Sequence, residues 1–195
     1  MGEQSMRTPP WLFEFLNAEF GPFNLDAAAS FENALCKIFY TGTACGLASQ
    51  WAGNTFYNPP FRDVLSWVIK ALHEARGGRS SLGILPVGAT QAWYQHIAIF
   101  GTVYVPDRRI GFLMPDGTWP VNKKGGPQSA DRDTIFLGMG GVHVNPSPRE
   151  FRAVPLHIPA EVIEAEKAFI RQQFKTSRPA AVTARADRDQ ASEVM

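Results

Sequence analysis

Between Asn54 and Val87 the chain reads as strand, helix and strand, and this pattern confines the molecule to the α/β class. Asn54 to Tyr57 is a short apolar strand. Asp63 to Ala75 places Val64, Leu65, Val68, Ile69 and Leu72 at helical spacing, and Gly77-Gly78 stops that helix. Ser81 to Val87, Ser-Leu-Gly-Ile-Leu-Pro-Val, reads as a second buried strand. In such sheets ligands sit beyond the carboxyl ends of the strands.

Other elements extend this frame. Met6 to Pro10 is an extended lead-in, because residues before proline avoid helical geometry. A helix follows from Trp11 to about Glu19, with Trp11, Phe15 and Leu16 on one face. Phe23 to Asp26 is expected as a strand, Ala27 to Ser30 as a small-residue turn, and Ser30 to Cys36 as a brief helix. Residues 37–53 show weak periodicity. Thr90 is expected to cap a helix reaching about Phe100, with strands over 102–105 and 110–114, a Gly/Pro/Lys-rich loop over 115–132 and a strand over 134–139. Pro159 opens a last helix to about Phe174. The expected organisation is one domain over residues 6–158, a C-terminal helix over 159–174 and a disordered tail over 175–195.

The strand ending at Tyr57 runs into Asn58-Pro59-Pro60-Phe61. Two prolines fix φ and withhold their N–H groups, so this loop offers carbonyls with few competing donors. Asn58 brings one acceptor oxygen, the Pro59 carbonyl a second, and Phe61 a stacking face. The set suits a flat base carrying an exocyclic amine. Asp26 and Asn58 both fall at strand ends and can line one crevice.

Composition narrows the alternatives. The 195 residues are 45% hydrophobic and 19% charged, as in a soluble globular domain, and no apolar run approaches membrane-spanning length. The N-terminal residues lack signal-peptide character, so a cytoplasmic location is expected. Two cysteines, Cys36 and Cys45, are too few for a disulfide framework or a thiolate zinc site, and the four histidines show no ligand spacing. No metal is assigned. A formal net charge of +1 neither supports nor excludes a nucleic-acid partner.

Taken together, Thr8-Pro9-Pro10-Trp11, Phe23-Asn24-Leu25-Asp26-Ala27-Ala28-Ala29, Glu32-Asn33-Ala34-Leu35-Cys36, Trp51-Ala52-Gly53, Phe56-Tyr57-Asn58-Pro59-Pro60-Phe61, Leu85-Pro86-Val87 and Arg108-Arg109-Ile110-Gly111-Phe112 resemble the phage Dam-type DNA adenine-N6 methyltransferases. The resemblance runs from about Thr8 to Met139. It implies an abbreviated Rossmann-like sheet with helices on both faces and a C-terminal antiparallel strand pair. It also implies S-adenosylmethionine as methyl donor and an adenine turned out of double-stranded DNA. Asn58, Pro59, Pro60 and Phe61 are then the catalytic set. Thr8, Pro9, Asp26, Ala27, Ala28 and Asn58 are the cofactor-side residues, and Arg108, Arg109, Lys123 and Lys124 are candidates for DNA phosphate.

Three departures shape the expectations. Ala27-Ala28-Ala29 replaces a glycine-rich cofactor turn. Asp26 and Asn58 lie too close in sequence for the usual run of βα units, so the sheet must be shortened. Cys45 stands where an acidic residue is expected before Gly46-Leu47. Little or short sequence specificity is expected, because no separate recognition domain is visible. Methylation of cytosine N4 or of RNA adenine, or a non-catalytic nucleic-acid-binding module of the same fold, are the alternatives.

Overall fold

The fold comes from a computed structural model, which describes residues 6–128 and 133–175. A seven-stranded sheet runs in the order β2-β1-β3-β4-β6-β5-β7. Its strands are β1 (Leu25–Ala29), β2 (Ile38–Thr41), β3 (Asn54–Tyr57), β4 (Ser80–Pro86), β5 (Thr102–Pro106), β6 (Thr134–Met139) and β7 (Ala153–Leu156). β1 pairs in parallel with β2 and β3, and β3 with β4. β6 is antiparallel to both β4 and β5, and β7 returns parallel to β5. The expected shortened sheet with an antiparallel strand pair is therefore observed. Between Asp26 and Asn58 there is room for one further strand before β3, the four-residue β2, and one seven-residue helix.

Alternation along the strands sends neighbours to opposite faces and builds two cores. Tyr57, Leu85 and Leu137 pack with Val64, Trp67 and Val68 beneath α3 (Val64–Arg76). Phe56, Ile84 and Phe136 pack instead with Leu12 and Leu16 of α1 (Pro10–Phe20). Helix α2 (Gly42–Ala48) and the short α4 (Ala92–His96) accompany α3, while α5 (Ala160–Lys175) contacts α1. Each buried aliphatic or phenylalanine side chain among these contributes about 1.5–3 kcal/mol. Gly83 makes one close approach possible: a Cβ there would lie 2.2 Å from the Tyr57 ring. The absence of a side chain lets Tyr57 lie over β4 and stack on Trp67 at a centroid distance of 6.1 Å.

Several expected elements differ. β1 continues through Ala27, Ala28 and Ala29, which were expected to turn. Their small side chains admit α2, whose Gly46 abuts the Ala27 carbonyl so closely that a Cβ would lie 2.2 Å from it. Residues 30–36 form a turn rather than a helix, closed by bonds from the Asn33 and Ala34 N–H groups to the Ser30 carbonyl. The weakly patterned stretch 37–53 holds β2 and α2; β2 is an edge strand with Ile38 55% exposed, so it carries little of the usual apolar pattern.

The expected strand 110–114 is not a strand. Its Leu113 forms an isolated antiparallel bridge with Arg7. The 90–100 helix breaks into α4 and a 3-10 turn, Ala98–Phe100. β7 was not anticipated because Ala-Val-Pro-Leu contains a proline, which only an edge strand tolerates. The buried face of α3 is rotated toward Trp67 and Ala71, leaving Leu65 and Ile69 exposed. In α1 the buried positions are Leu12 and Leu16, with Trp11 packed on Phe169 of α5. Lys175, where the tail was expected to begin, ends α5; residues 176–195 and 129–132 lie outside the described residues.

Candidate active site at the carboxyl edge of the sheet

β3 delivers Asn58 to the carboxyl edge, and the following residues form a 3-10 turn, Phe61–Asp63, that leads into α3. The hydrogen bonds of this loop are unevenly distributed. The Pro60 carbonyl accepts from the Asp63 N–H at 3.3 Å. The Pro59 carbonyl accepts from no described residue. Asp63 caps α3 by accepting from the Ser66 N–H at 3.4 Å, which fixes the far end of the loop. Phe61 is half-buried and packs on the core beneath α3.

The Asn58 side chain is held just as specifically. Its Nδ2 donates to the Met6 carbonyl at 3.2 Å and to the Thr8 Oγ1 at 3.0 Å. Its Oδ1 accepts from no described residue. Thr8 and Pro9 are both buried, and Pro9 rather than Thr8 is the N-cap of α1, with no side-chain capping bond. The lead-in is held by paired bonds between Arg7 and Leu113, 2.8 Å from the Arg7 N–H and 3.0 Å from the Leu113 N–H. Arg7 Nη1 also donates to the Glu32 carbonyl at 3.1 Å. Thr8 and Asn58 are thus brought together, with Pro9 next to Thr8 in sequence.

Asp26, expected at a strand end, is instead the second residue of β1, paired in register with Phe56, because the strand continues through Ala29. Its carboxylate accepts from the Ala28 N–H at 3.3 Å and the Leu35 N–H at 3.2 Å, so it staples the turn after β1. Burial pushes its pKa from 3.8 up to about 6, partly offset by those two bonds. The same surroundings, with the Asp26 charge adding to burial, push the Cys36 thiol up to about 12. Cys45 is exposed on α2. Trp51 is a core residue whose indole donates to the Gly46 carbonyl at 2.7 Å.

A methyl-donor cofactor bearing an ammonium and ribose hydroxyls fits this donor set. Asp26 is a buried carboxylate with lone pairs to spare and no cationic partner among the described residues.

The four candidates for DNA phosphate sit on other segments of the chain. Arg108 pairs with Glu166 of α5 at 3.1 Å and is half-buried. Arg109 pairs with Asp133 at 2.9 Å, both well exposed. Lys123 and Lys124 occupy an exposed hairpin tip closed by a Val121–Pro127 bridge. Asn122 staples that tip: its Oδ1 accepts from the Lys124 N–H at 2.9 Å and the Gly126 N–H at 3.2 Å. A cleft of about 770 Å³, lined among others by Asp107, Arg108, Trp119, Gln128, His157 and Glu166, opens between this loop and α5. Neither Asn58 nor Asp26 is among its described lining residues.

Comparison with known proteins decides the lineage. The family profile described as DNA N-6-adenine-methyltransferase (Dam) matches residues 3–131, more than half of the chain. The chain belongs to the Dam family. Among curated relatives it is 32% identical over 89 residues to the DNA N-6-adenine-methyltransferase of Escherichia phage T1, covering 45% of this chain and 37% of that protein. It is 38% identical over 68 residues to the putative methyltransferase YfdM of Escherichia coli (strain K12), covering 31% of this chain and 74% of that protein. The match spans little more than a third of the phage T1 protein's length.

In this Dam-family chain the sequence singles out the Asn58 loop and Thr8, which the structure links by a hydrogen bond, but not the Met6 carbonyl or Leu113. A backbone carbonyl carries no sequence signature. The apolar run at 110–114 was visible, but its pairing with Arg7, at the other end of the domain, was not.

Proposed function

We propose that this Dam-family chain methylates the N6 amine of adenine in DNA, using S-adenosylmethionine and reading little or only short flanking sequence. The observation that carries this reading is the pair of unclaimed acceptors at the end of β3, Asn58 Oδ1 and the Pro59 carbonyl. An exocyclic amine has two N–H donors and a nitrogen whose lone pair is delocalised into the ring. Two fixed acceptors take those donors, favour a more tetrahedral nitrogen and stabilise the positive charge that develops on it. Phe61 offers a ring face to the base, and positioning by such contacts supplies part of the acceleration. No strong base is required, because a methylated aminium sheds its proton readily.

When bound, the cofactor supplies an electrophilic methyl on a sulfonium. Pro9, Asp26, Ala27, Ala28 and Asn58 are the residues that would hold it, while the Thr8 hydroxyl, expected on the cofactor side, is taken by the Asn58 amide. Asp26 offers its carboxylate to a cationic or hydroxyl group, and Ala27 and Ala28 follow it in β1 with little side-chain bulk. The catalytic unit is residues 6–158. The target adenine is taken out of double-stranded DNA, with Lys123, Lys124 and Arg109 toward phosphate and Arg108 holding α5 to the loop. In a bacterial or phage-infected host cell such a substrate places the site of action in the cytoplasm.

Labelled-methyl transfer to DNA with and without adenine tests the reading; label in adenine-free DNA would redirect it to cytosine N4. Cys45, exposed where an acidic cofactor contact was expected, favours a second reading: a non-catalytic binder of the same fold. Calorimetry separates the two, since a binder gives no heat with millimolar S-adenosylmethionine.

A further inference from the structure

We propose that Thr8 is a positioning residue that, together with the Met6 carbonyl, locks the Asn58 amide with its oxygen facing the target amine. The inference rests on the catalytic reading of Asn58 but assigns Thr8 a different task from contact with the cofactor.

The orientation of an amide side chain is ambiguous when its partners are hydroxyls, which both donate and accept. Here one partner is the Met6 backbone carbonyl, 3.2 Å from Nδ2, and a carbonyl only accepts. The nitrogen must therefore face Met6. Thr8 Oγ1, 3.0 Å from the same nitrogen, takes the second amide hydrogen. Both donors are engaged, and Oδ1 is the atom left for a ligand. A reversed amide would set its N–H groups against the N–H groups of an exocyclic amine, a donor–donor clash.

Thr8 is only 7% exposed, so its hydroxyl is sheltered from competing water. It makes no capping bond to α1, which removes the ordinary reason for a threonine before a helix. The Met6 carbonyl is in turn fixed by the Arg7–Leu113 bridge next to it. The same geometry distinguishes asparagine from aspartate at this position. A carboxylate would set an acceptor against the Met6 carbonyl, and only its protonated form could donate there.

Steady-state methyl transfer by Thr8→Val, Thr8→Ser and Asn58→Asp, with S-adenosylmethionine affinity measured by calorimetry, tests the proposal. Thr8→Val is expected to lower kcat on the order of tenfold, the worth of one hydrogen bond, with cofactor affinity unchanged. Thr8→Ser keeps the hydroxyl and restores most of the rate. In an Asn58→Ala background Thr8→Val costs nothing further, because the group it acts through is gone. Asn58→Asp is expected to lose activity as pH rises, in a range where the wild type does not. A Thr8→Val enzyme with wild-type kcat, a loss confined to cofactor affinity, or an undiminished loss in the Asn58→Ala background each overturns the proposal. Absence of transfer by the wild-type chain would instead defeat the catalytic reading itself.

Discussion

Asn58 follows the end of β3 and Asp26 lies within the adjacent strand β1, yet their polar atoms are employed in opposite ways. Asn58 has both amide hydrogens engaged and keeps a free acceptor. Asp26 directs its oxygens to the backbone of its own turn and is pushed up to about 6 by burial. The first arrangement leaves an atom ready for a ligand. The second strengthens the frame and holds a charge in reserve. Polar residues on adjacent strands can therefore differ in kind: one keeps an acceptor unclaimed, while the other supports the loop beside it.

Substitution should separate these roles most sharply at Asn58. Asn58→Ala is expected to cut methyl transfer by about a hundredfold to a thousandfold, the scale for losing one preorganised electrostatic partner. Its thermal stability should stay close to that of the wild type, because little buried apolar surface changes. A variant that retained near wild-type transfer would remove Asn58 from the catalytic set.

Asp26→Asn should show the converse, an effect on stability governed by pH. The folded chain holds the Asp26 proton more tightly than the unfolded chain, since the pKa rises from 3.8 to about 6. Stability from this group is thus full below about pH 4 and is lost as pH climbs toward 6, by about 2–3 kcal/mol. Asp26→Asn cannot titrate and lacks this fall. Urea denaturation of both proteins at pH 4 and pH 7 measures the difference, and parallel pH profiles would contradict the assignment.

Phe61→Ala removes a stacking face worth about 1–3 kcal/mol per base and should appear mainly as a raised KM for DNA. The smallest expected effect lies farthest from both residues. Replacing Lys123 and Lys124 together by alanine should reduce the salt slope of DNA binding by about 0.9 for each phosphate no longer neutralised, with little change in kcat on saturating DNA. An unchanged slope would place the duplex on another surface.

How much of this was legible depends on where each signal resides. Asn54–Tyr57, the Asn-Pro-Pro-Phe loop, α3 and β4 could be read because their apolar spacing and prolines are local. The shortening of the sheet was legible too, since too few residues separate Asp26 from Asn58. β2, α2 and β7 were not, because an edge strand and a seven-residue helix bury too little to impose a pattern. The three alanines were misread as a turn. Only the tertiary packing of Gly46 against them explains why small residues extend β1 there. Arg108, a candidate for DNA phosphate, is also tied to Glu166. Its partner lies on a helix 58 positions away, a pairing invisible to any local window.

The Arg7–Leu113 bridge joins two stretches that otherwise share no strand, and only two backbone bonds close it. Opening of that bridge is expected to release the Met6 carbonyl and leave the Asn58 amide held by Thr8 alone, whose hydroxyl accepts either orientation. Amide hydrogen exchange at Arg7 and Leu113 then becomes a substrate-free clock for site readiness. The two positions should exchange together, and any solution condition that speeds them should weaken apparent DNA affinity in proportion to the open fraction.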